Sequence, residues 1–286
     1  MPEPTLGFIG GSGLYDMEGL SSRREIEIET PFGEPSDSII TGELDGVEVA
    51  FLPRHGRGHR ISPSELPVMA NIYAMKQIGV QRLVSISAVG SLKEELKPLD
   101  LVVPDQIIDR TRERPSTFFG DGLVAHVGFA DPFCPALRQQ AVEAAVGNTD
   151  VHDGGTYIVI EGPQFSTRAE SEMHRSWGAS VIGMTALPEA KLAREAEMCY
   201  ATLAFVTDYD VWHEAEEDVS VELVVQNLMQ NVQTAQTIVR RMASTVSETT
   251  SCGCDRALEN AIITSRDLIP PTTRMKLGLL VDKYLD

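Results

Sequence analysis

Two rhythms of apolar and polar residues take turns along this chain. Short, β-prone apolar runs read as strands: Leu6-Gly7-Phe8-Ile9, Arg82-Leu83-Val84-Ser85-Ile86-Ser87, Leu101-Val102-Val103, Thr156-Tyr157-Ile158-Val159-Ile160, Val181-Ile182-Gly183 and Ala204-Phe205-Val206-Thr207. Between them, apolar residues at three- and four-residue spacing predict helices over 64–79, 135–146, 169–177, 188–199 and 219–244. The last of these carries Leu223, Leu228, Val232, Ala235 and Ile238 near one face. The 26–52 stretch reads as a hairpin region, with turn signals at Thr30-Pro31-Phe32-Gly33 and Leu44-Asp45-Gly46-Val47. The polar stretch 105–121 reads as a loop. Beyond 247 the pattern is less regular until a short terminal helix over 275–280. Strands alternating with helices, with no linker or repeat between them, predict one α/β domain over 1–286 around a mixed or parallel sheet.

Composition narrows this picture. A hydrophobic content of 42% over 286 residues is enough for a full core. No apolar run reaches the roughly 20 residues of a membrane-spanning helix, and Met1-Pro2-Glu3-Pro4 lacks the features of a secretion signal. A cytoplasmic protein without a membrane partner is expected. The formal charge of −18, with lysine scarce beside arginine, disfavours nucleic acid and anionic lipid as partners. Such a surface also suits a salt-rich solvent. Of the four cysteines, Cys134 and Cys199 lie in apolar surroundings and are expected to be buried thiols. Cys252-Gly253-Cys254 offers two sulfurs, too few for a structural zinc site by themselves, so no metal is expected. Free thiols and a disulfide, within the pair or to a neighbour, both remain open for it.

The candidate chemistry sits at the ends of strands, where ligands bind in open α/β sheets. Gly10-Gly11-Ser12-Gly13 follows the first strand and lets backbone N–H groups converge on an anion, although a plain tight turn has the same composition. Arg54-His55-Gly56-Arg57-Gly58-His59-Arg60 concentrates positive charge in an acidic protein, suiting phosphate, or else lies solvated on the surface. Ser87, Ser166, Thr185 and Thr207 add hydroxyls at further strand ends. Asp208 and Asp210 are either helix-capping carboxylates or acids held at altered pKa. His126 stands alone and by itself reads as structural. An oxyanion site at one end and a protonatable carboxyl at the other would suit cleavage of a bond between a sugar and an electron-poor heterocycle.

Six motifs carry a resemblance: Gly10-Gly11-Ser12-Gly13-Leu14, Thr30-Pro31-Phe32-Gly33, Arg54-His55-Gly56-Arg57, Glu161-Gly162-Pro163-Gln164-Phe165-Ser166 with Arg168-Ala169-Glu170-Ser171, Met184-Thr185 with Pro188-Glu189, and Thr207-Asp208-Tyr209-Asp210. In this order, over about residues 5–245, they resemble the S-methyl-5′-thioadenosine phosphorylases of the trimeric purine nucleoside phosphorylase group. The resemblance implies a single α/β domain whose mixed sheet partly closes into a barrel, surrounded by helices. It implies phosphate held by Ser12, Arg54, His55, Ser87, Ala88 and Thr185. Ser12 and Ser87 stand where relatives often have threonine. It implies a purine packed on Phe165 and faced by Ser166, Thr207, Asp208 and Asp210, a ribose against Met184, and an apolar slot for a 5′-methylthio group at Val221 and Val224. His126 and Leu268 would reach into a neighbouring subunit's site, so a homotrimer or a pair of trimers is expected. The CxC resembles that of some archaeal members, where it implies extra disulfide stabilisation.

The implied reaction is phosphorolysis of methylthioadenosine, with phosphate as co-substrate and no metal or organic cofactor. Asp208 would be the catalytic acid, its pKa raised by burial. A carboxyl there accepts from a 6-amino group and disfavours a 6-oxopurine. A 6-oxopurine or methylthioinosine phosphorylase, or a nucleoside-binding protein without turnover, are the alternatives.

Overall fold

A computed structural model describes residues 5–11, 13–14, 17–214, 218–245 and 252–285. In chain order its elements are β1 (Leu6–Gly10), β2 (Ser21–Ile26), β3 (Ile39–Leu44), β4 (Val47–Pro53), α1 (Val68–Gln77), β5 (Arg82–Ser91), β6 (Leu101–Val103), β7 (Gln106–Arg110), α2 (Pro135–Ala145), β8 (Val151–Asp153), β9 (Thr156–Ile160), α3 (Arg168–Ser176), β10 (Val181–Gly183), α4 (Ala186–Glu195), β11 (Cys199–Asp208), α5 (Val221–Thr245) and α6 (Pro271–Leu285).

The strands form one mixed sheet. Its first arm is built locally. Asp45 and Gly46 both take positive φ, which matches the twist of a two-residue hairpin, so β3 folds back on β4 with Leu44 opposite Val47. β1 then inserts in parallel between β4 and β5. Side chains alternate between two buried faces, as the unbroken apolar runs require. Phe8 and Phe51 pack on one side with α2 and α5, while Ile9 and Leu52 pack on the other with α1, α4 and α6. β11 is buried at every one of its 10 positions and does the same, Phe205 facing one core and Ala204 and Val206 the other.

The sheet forks at β5, and the fork positions everything that follows. The start of β5 pairs with β1 as far as Ile9 opposite Ser85, and its end pairs with β10 at Gly90 and Ser91. Between these points residues 86–89 keep a strand partner only on the β11 side. One edge of β5 is therefore uncovered over Ser87 and Ala88. The pairings among the described residues run open at this fork rather than closing into a ring.

Four expectations shift. The helix over 188–199 ends at Glu195, and Cys199 opens β11 instead, because Glu197 turns the chain with φ of 54°. The 105–121 stretch contains β7, a half-exposed edge strand on β9 with no apolar alternation to betray it. The helix placed at 64–79 begins only at Val68, after Pro67. The short terminal helix is a full one from Pro271 to Leu285, with Leu277, Leu280 and Val281 in the core. No helix among the described residues is long and apolar enough to cross a membrane.

Candidate active site

A cavity of about 270 Å³ opens at the fork, beneath α5. Its walls collect Arg54, His55, Ser87, Ala88, Phe165, Ser166, Met184, Thr185, Thr207, Asp208, Asp210 and Val224, residues that the sequence scatters over 170 positions. Gly11 of the glycine-rich turn also lines it. Ser12 lies outside the described residues.

At one end β5 supplies Ser87, whose hydroxyl lies 3.0 Å from that of Thr185. Arg54 follows the last residue of β4 and is only 2% exposed. Its guanidinium is largely engaged by the protein. Nε donates to Glu189 Oε1 at 2.5 Å and Nη2 to Oε2 at 3.1 Å, while further bonds reach Ser85 Oγ and the carbonyls of Ile9 and Ile86. Glu189 is completely buried on α4 and also accepts from Tyr200 Oη at 3.0 Å. His55 donates Nδ1–H to the Ile61 carbonyl at 2.8 Å and stacks on His59. Burial and the adjacent Arg54 charge hold its pKa down to about 4, so the ring is neutral and Nε2 is an acceptor. The positive site is thus narrower than the sequence suggests. Arg57 pairs with Glu25 and Asp37, and Arg60 bonds the Ser36 carbonyl, neither in the cavity wall.

At the other end β11 breaks register after Val206 and presents Asp208 opposite Gly90. A side chain at 90 would displace the acid: a Cβ there would stand 2.8 Å from Asp208 Oδ1. Asp208 is 3% exposed. It accepts from Thr207 Oγ1 at 2.7 Å and from the Asp210 backbone N–H at 2.8 Å. Burial outweighs these bonds, and with the nearby Asp210 charge it pushes the carboxyl up to about 6. Asp210 is raised by burial as well. Its Oδ2 makes no hydrogen bond among the described residues, and the hydroxyls of Ser166 and Ser171 lie close to it in the same state.

α5 supplies the apolar wall. Val224, Leu228, Val232 and Ala235 recur at helical spacing and line the cavity, joined by Val219 ahead of the helix. Val221, expected beside Val224, does not line it and is 63% exposed, although Val219 before it and Val224 after it both do. Two residues that sequence reasoning missed brace the acid end. Asn227 donates to the Thr207 carbonyl at 2.6 Å and Asn231 to that of Val206 at 3.3 Å. The available signal was two amides four apart on an otherwise apolar stripe. Glu189 was missed as a partner for Arg54. His126 and Leu268 are exposed and outside this cavity. They sit on adjoining segments, joined where His126 N–H meets the Ala261 carbonyl and where Pro270 packs over Gly122.

The chain as a whole compares closely with known proteins. The model of the phosphorylase superfamily matches residues 5–244. An S-methyl-5′-thioadenosine phosphorylase of Gloeobacter violaceus is 54% identical, covering 99% of this chain and 97% of its own. The crystal structure of a methylthioadenosine phosphorylase from an antarctic soil metagenomic library superposes with a TM-score of 0.94 at 51% identity, over 98% of this chain and 100% of that one. The methylthioadenosine phosphorylase of Schistosoma mansoni, solved in complex with adenine, gives 0.81 at 31% identity over 98% of each chain. Fold, motif order and near-full-length identity agree: the chain belongs to the phosphorylase superfamily, in its S-methyl-5′-thioadenosine phosphorylase family.

Proposed function

We propose that this chain, acting as one domain, catalyses the reversible phosphorolysis of S-methyl-5′-thioadenosine to adenine and 5-methylthioribose 1-phosphate. The observation that carries the reading is the pairing, in one cavity, of a buried carboxyl pushed up to about 6 with a hydroxyl, arginine and histidine set at the opposite end.

Phosphate is assigned to Ser87, Thr185, the uncovered backbone edge at Ala88, the glycine turn around Ser12, Arg54 and His55. With His55 neutral, Nε2 accepts the P–OH of hydrogenphosphate. Phe165 and Met184 are assigned to the faces of base and ribose, and the α5 wall at Val224 to the methylthio group. A phosphate oxygen attacks C1′ while the C1′–N9 bond breaks and its electron pair moves into the purine. Charge builds up on the base, and Asp208 donates a proton to N7. Its other oxygen accepts from the 6-amino group, so a neutral carboxyl matches adenine at both points. Overall, hydrogenphosphate loses one proton and the base gains one, so the reaction needs no outside acid and no organic cofactor.

His126 and Leu268, exposed on one chain, are assigned to a neighbouring subunit's site in a trimer or a dimer of trimers. A cytoplasmic location fits a salvage enzyme of this kind. The deciding experiment incubates the full chain with methylthioadenosine, with and without phosphate, and identifies the base and sugar released. Adenine and a sugar 1-phosphate, formed only with phosphate, are expected. Faster release of hypoxanthine from methylthioinosine would overturn the 6-aminopurine assignment, and binding without release of base would overturn turnover altogether.

A further inference from the structure

Well away from the cavity, the fold brings together residues that the sequence keeps apart. Cys134 caps the N-terminus of α2, Cys199 opens β11, and Cys252 and Cys254 flank Gly253 ahead of the 3₁₀ turn Cys254–Arg256. All four sulfurs lie within 4.8 Å of one another, Cys199 and Cys252 at 3.3 Å. Cys134, Cys199 and Cys254 are buried and Cys252 is half-buried. Counted along the chain, Cys252 and Cys254 are too few for a metal. The fold supplies the missing pair.

We propose that these four cysteines form a structural tetrathiolate site for one zinc ion. In a tetrahedral zinc–thiolate centre the Zn–S bonds are about 2.3 Å, which sets the sulfurs about 3.8 Å apart. The spacing here brackets that value on both sides, so small side-chain rotations close the site. Gly253 takes φ of 71°, a left-handed conformation that lets a CxC wrap and aim both sulfurs the same way. The backbone holds the other two ligands. Cys134 N–H donates to the Tyr200 carbonyl, one residue beyond Cys199, and Cys199 N–H donates to Gln81. A mutual approach of all four sulfurs is what one central ion requires.

Charge is accommodated as well. Zinc entry displaces four thiol protons and leaves a centre of net charge −2. Cys134 stands at the N-cap of α2, and the helix N-terminus favours negative charge there. Lys76 lies within electrostatic reach of Cys199. The ion would clip the C-terminal segment from 252 onward, which ends in α6, to α2 and β11.

The test uses the full chain purified without chelator or added oxidant, then assayed for metal and for intact mass after denaturation. One zinc per chain with all four cysteines reduced, released in step with titration by a mercurial thiol reagent, is the expected result. Cobalt(II) added to the metal-free chain should give the strong visible bands of a tetrahedral thiolate complex. A mass short by two hydrogens per bridge, with no zinc, would overturn the proposal in favour of disulfides. Four reduced thiols that take up neither added zinc nor cobalt would overturn it equally. Cys252→Ser, at the half-buried ligand, should bring zinc from one per chain to near zero in the presence of a competing chelator and speed thermal inactivation, with turnover at 25 °C unchanged. The wild-type measurements stand even if that variant folds poorly.

Discussion

Replacing Asp208 by Asn separates its role as an acid from its role as a shape. The amide keeps the volume, one donor and one acceptor, but it has no proton to give. General acid assistance is worth about 10²–10⁴-fold, so turnover of methylthioadenosine should fall by that order. Stability should move the other way. Burial raises the carboxyl from its ordinary value of 3.8 to about 6. At 1.36 kcal/mol per unit, holding it ionised in the fold costs about 3 kcal/mol. Because the folded value lies above the unfolded one, that cost is absent below about pH 4, grows between pH 4 and 6, and is complete above 6. Asp208→Asn should therefore be more stable than the native chain in denaturant at pH 8, by up to about 3 kcal/mol, and show no such gain at pH 4. Kinetics provide the matching test. The ratio of native to Asn kcat/KM, which reports the free enzyme, cancels the ionisation of phosphate, and it should decline as pH rises above about 6. A ratio flat from pH 5.5 to 8, or equal stability changes at both pH values, would refute the buried-acid reasoning.

Glu189→Gln should destabilise the fold by about 3–5 kcal/mol in chemical denaturation, because it leaves the buried Arg54 guanidinium unpaired. Its KM for phosphate should rise, and an unchanged midpoint would dismiss the pair's role. Gly90→Ala drives a methyl group to 2.8 Å from Asp208 Oδ1 and 3.1 Å from Ile182 Cγ2, so turnover should drop at least about tenfold with a stability loss of about 1–3 kcal/mol. Normal kinetics in that variant would show that the acid has room to move. Val224→Ser should raise KM for methylthioadenosine about tenfold and leave adenosine much less affected, since the change is felt only by an apolar 5′ substituent. Equal losses for both would remove the apolar slot.

What could be read from the sequence followed from local physics. Asp45-Gly46 specifies its own hairpin, and the hydroxyl- and acid-bearing strand ends announce a cavity because ligands collect there. What stayed hidden depends on distance along the chain or on weak local signals. Arg54 and Glu189 are 135 residues apart, and each alone reads as a surface charge. β7 lies half exposed at a sheet edge, so its pattern resembles a loop. Glu197 turns the chain with a residue that is no turn former, which hid the first half of β11. Val221 lies three residues from Val224, but spacing alone does not show that it is the exposed one of the two. The cysteines failed in the same way: spacing shows the CxC, but only the fold adds Cys134 and Cys199.

In the proposed reaction, charge at the phosphate end of the cavity would bear on the acid at the base end. An unpaired Arg54 would favour ionised Asp208 and spoil the acid. Glu189 pairs with that guanidinium from inside the protein, at a fully buried position. Bound phosphate then brings its own negative charge, which pushes Asp208 further toward the protonated form. A purine covering the carboxyl removes what solvent remains and acts in the same direction. The local bonds adapt to the change. Thr207 Oγ1 has one hydrogen and two acceptors within reach, Asp208 Oδ2 at 2.7 Å and the Val89 carbonyl at 3.2 Å. When Asp208 is ionised the hydroxyl donates to it; when Asp208 is protonated the hydroxyl can turn to Val89. In the proposed reaction each substrate would thus help load the acid before the bond breaks.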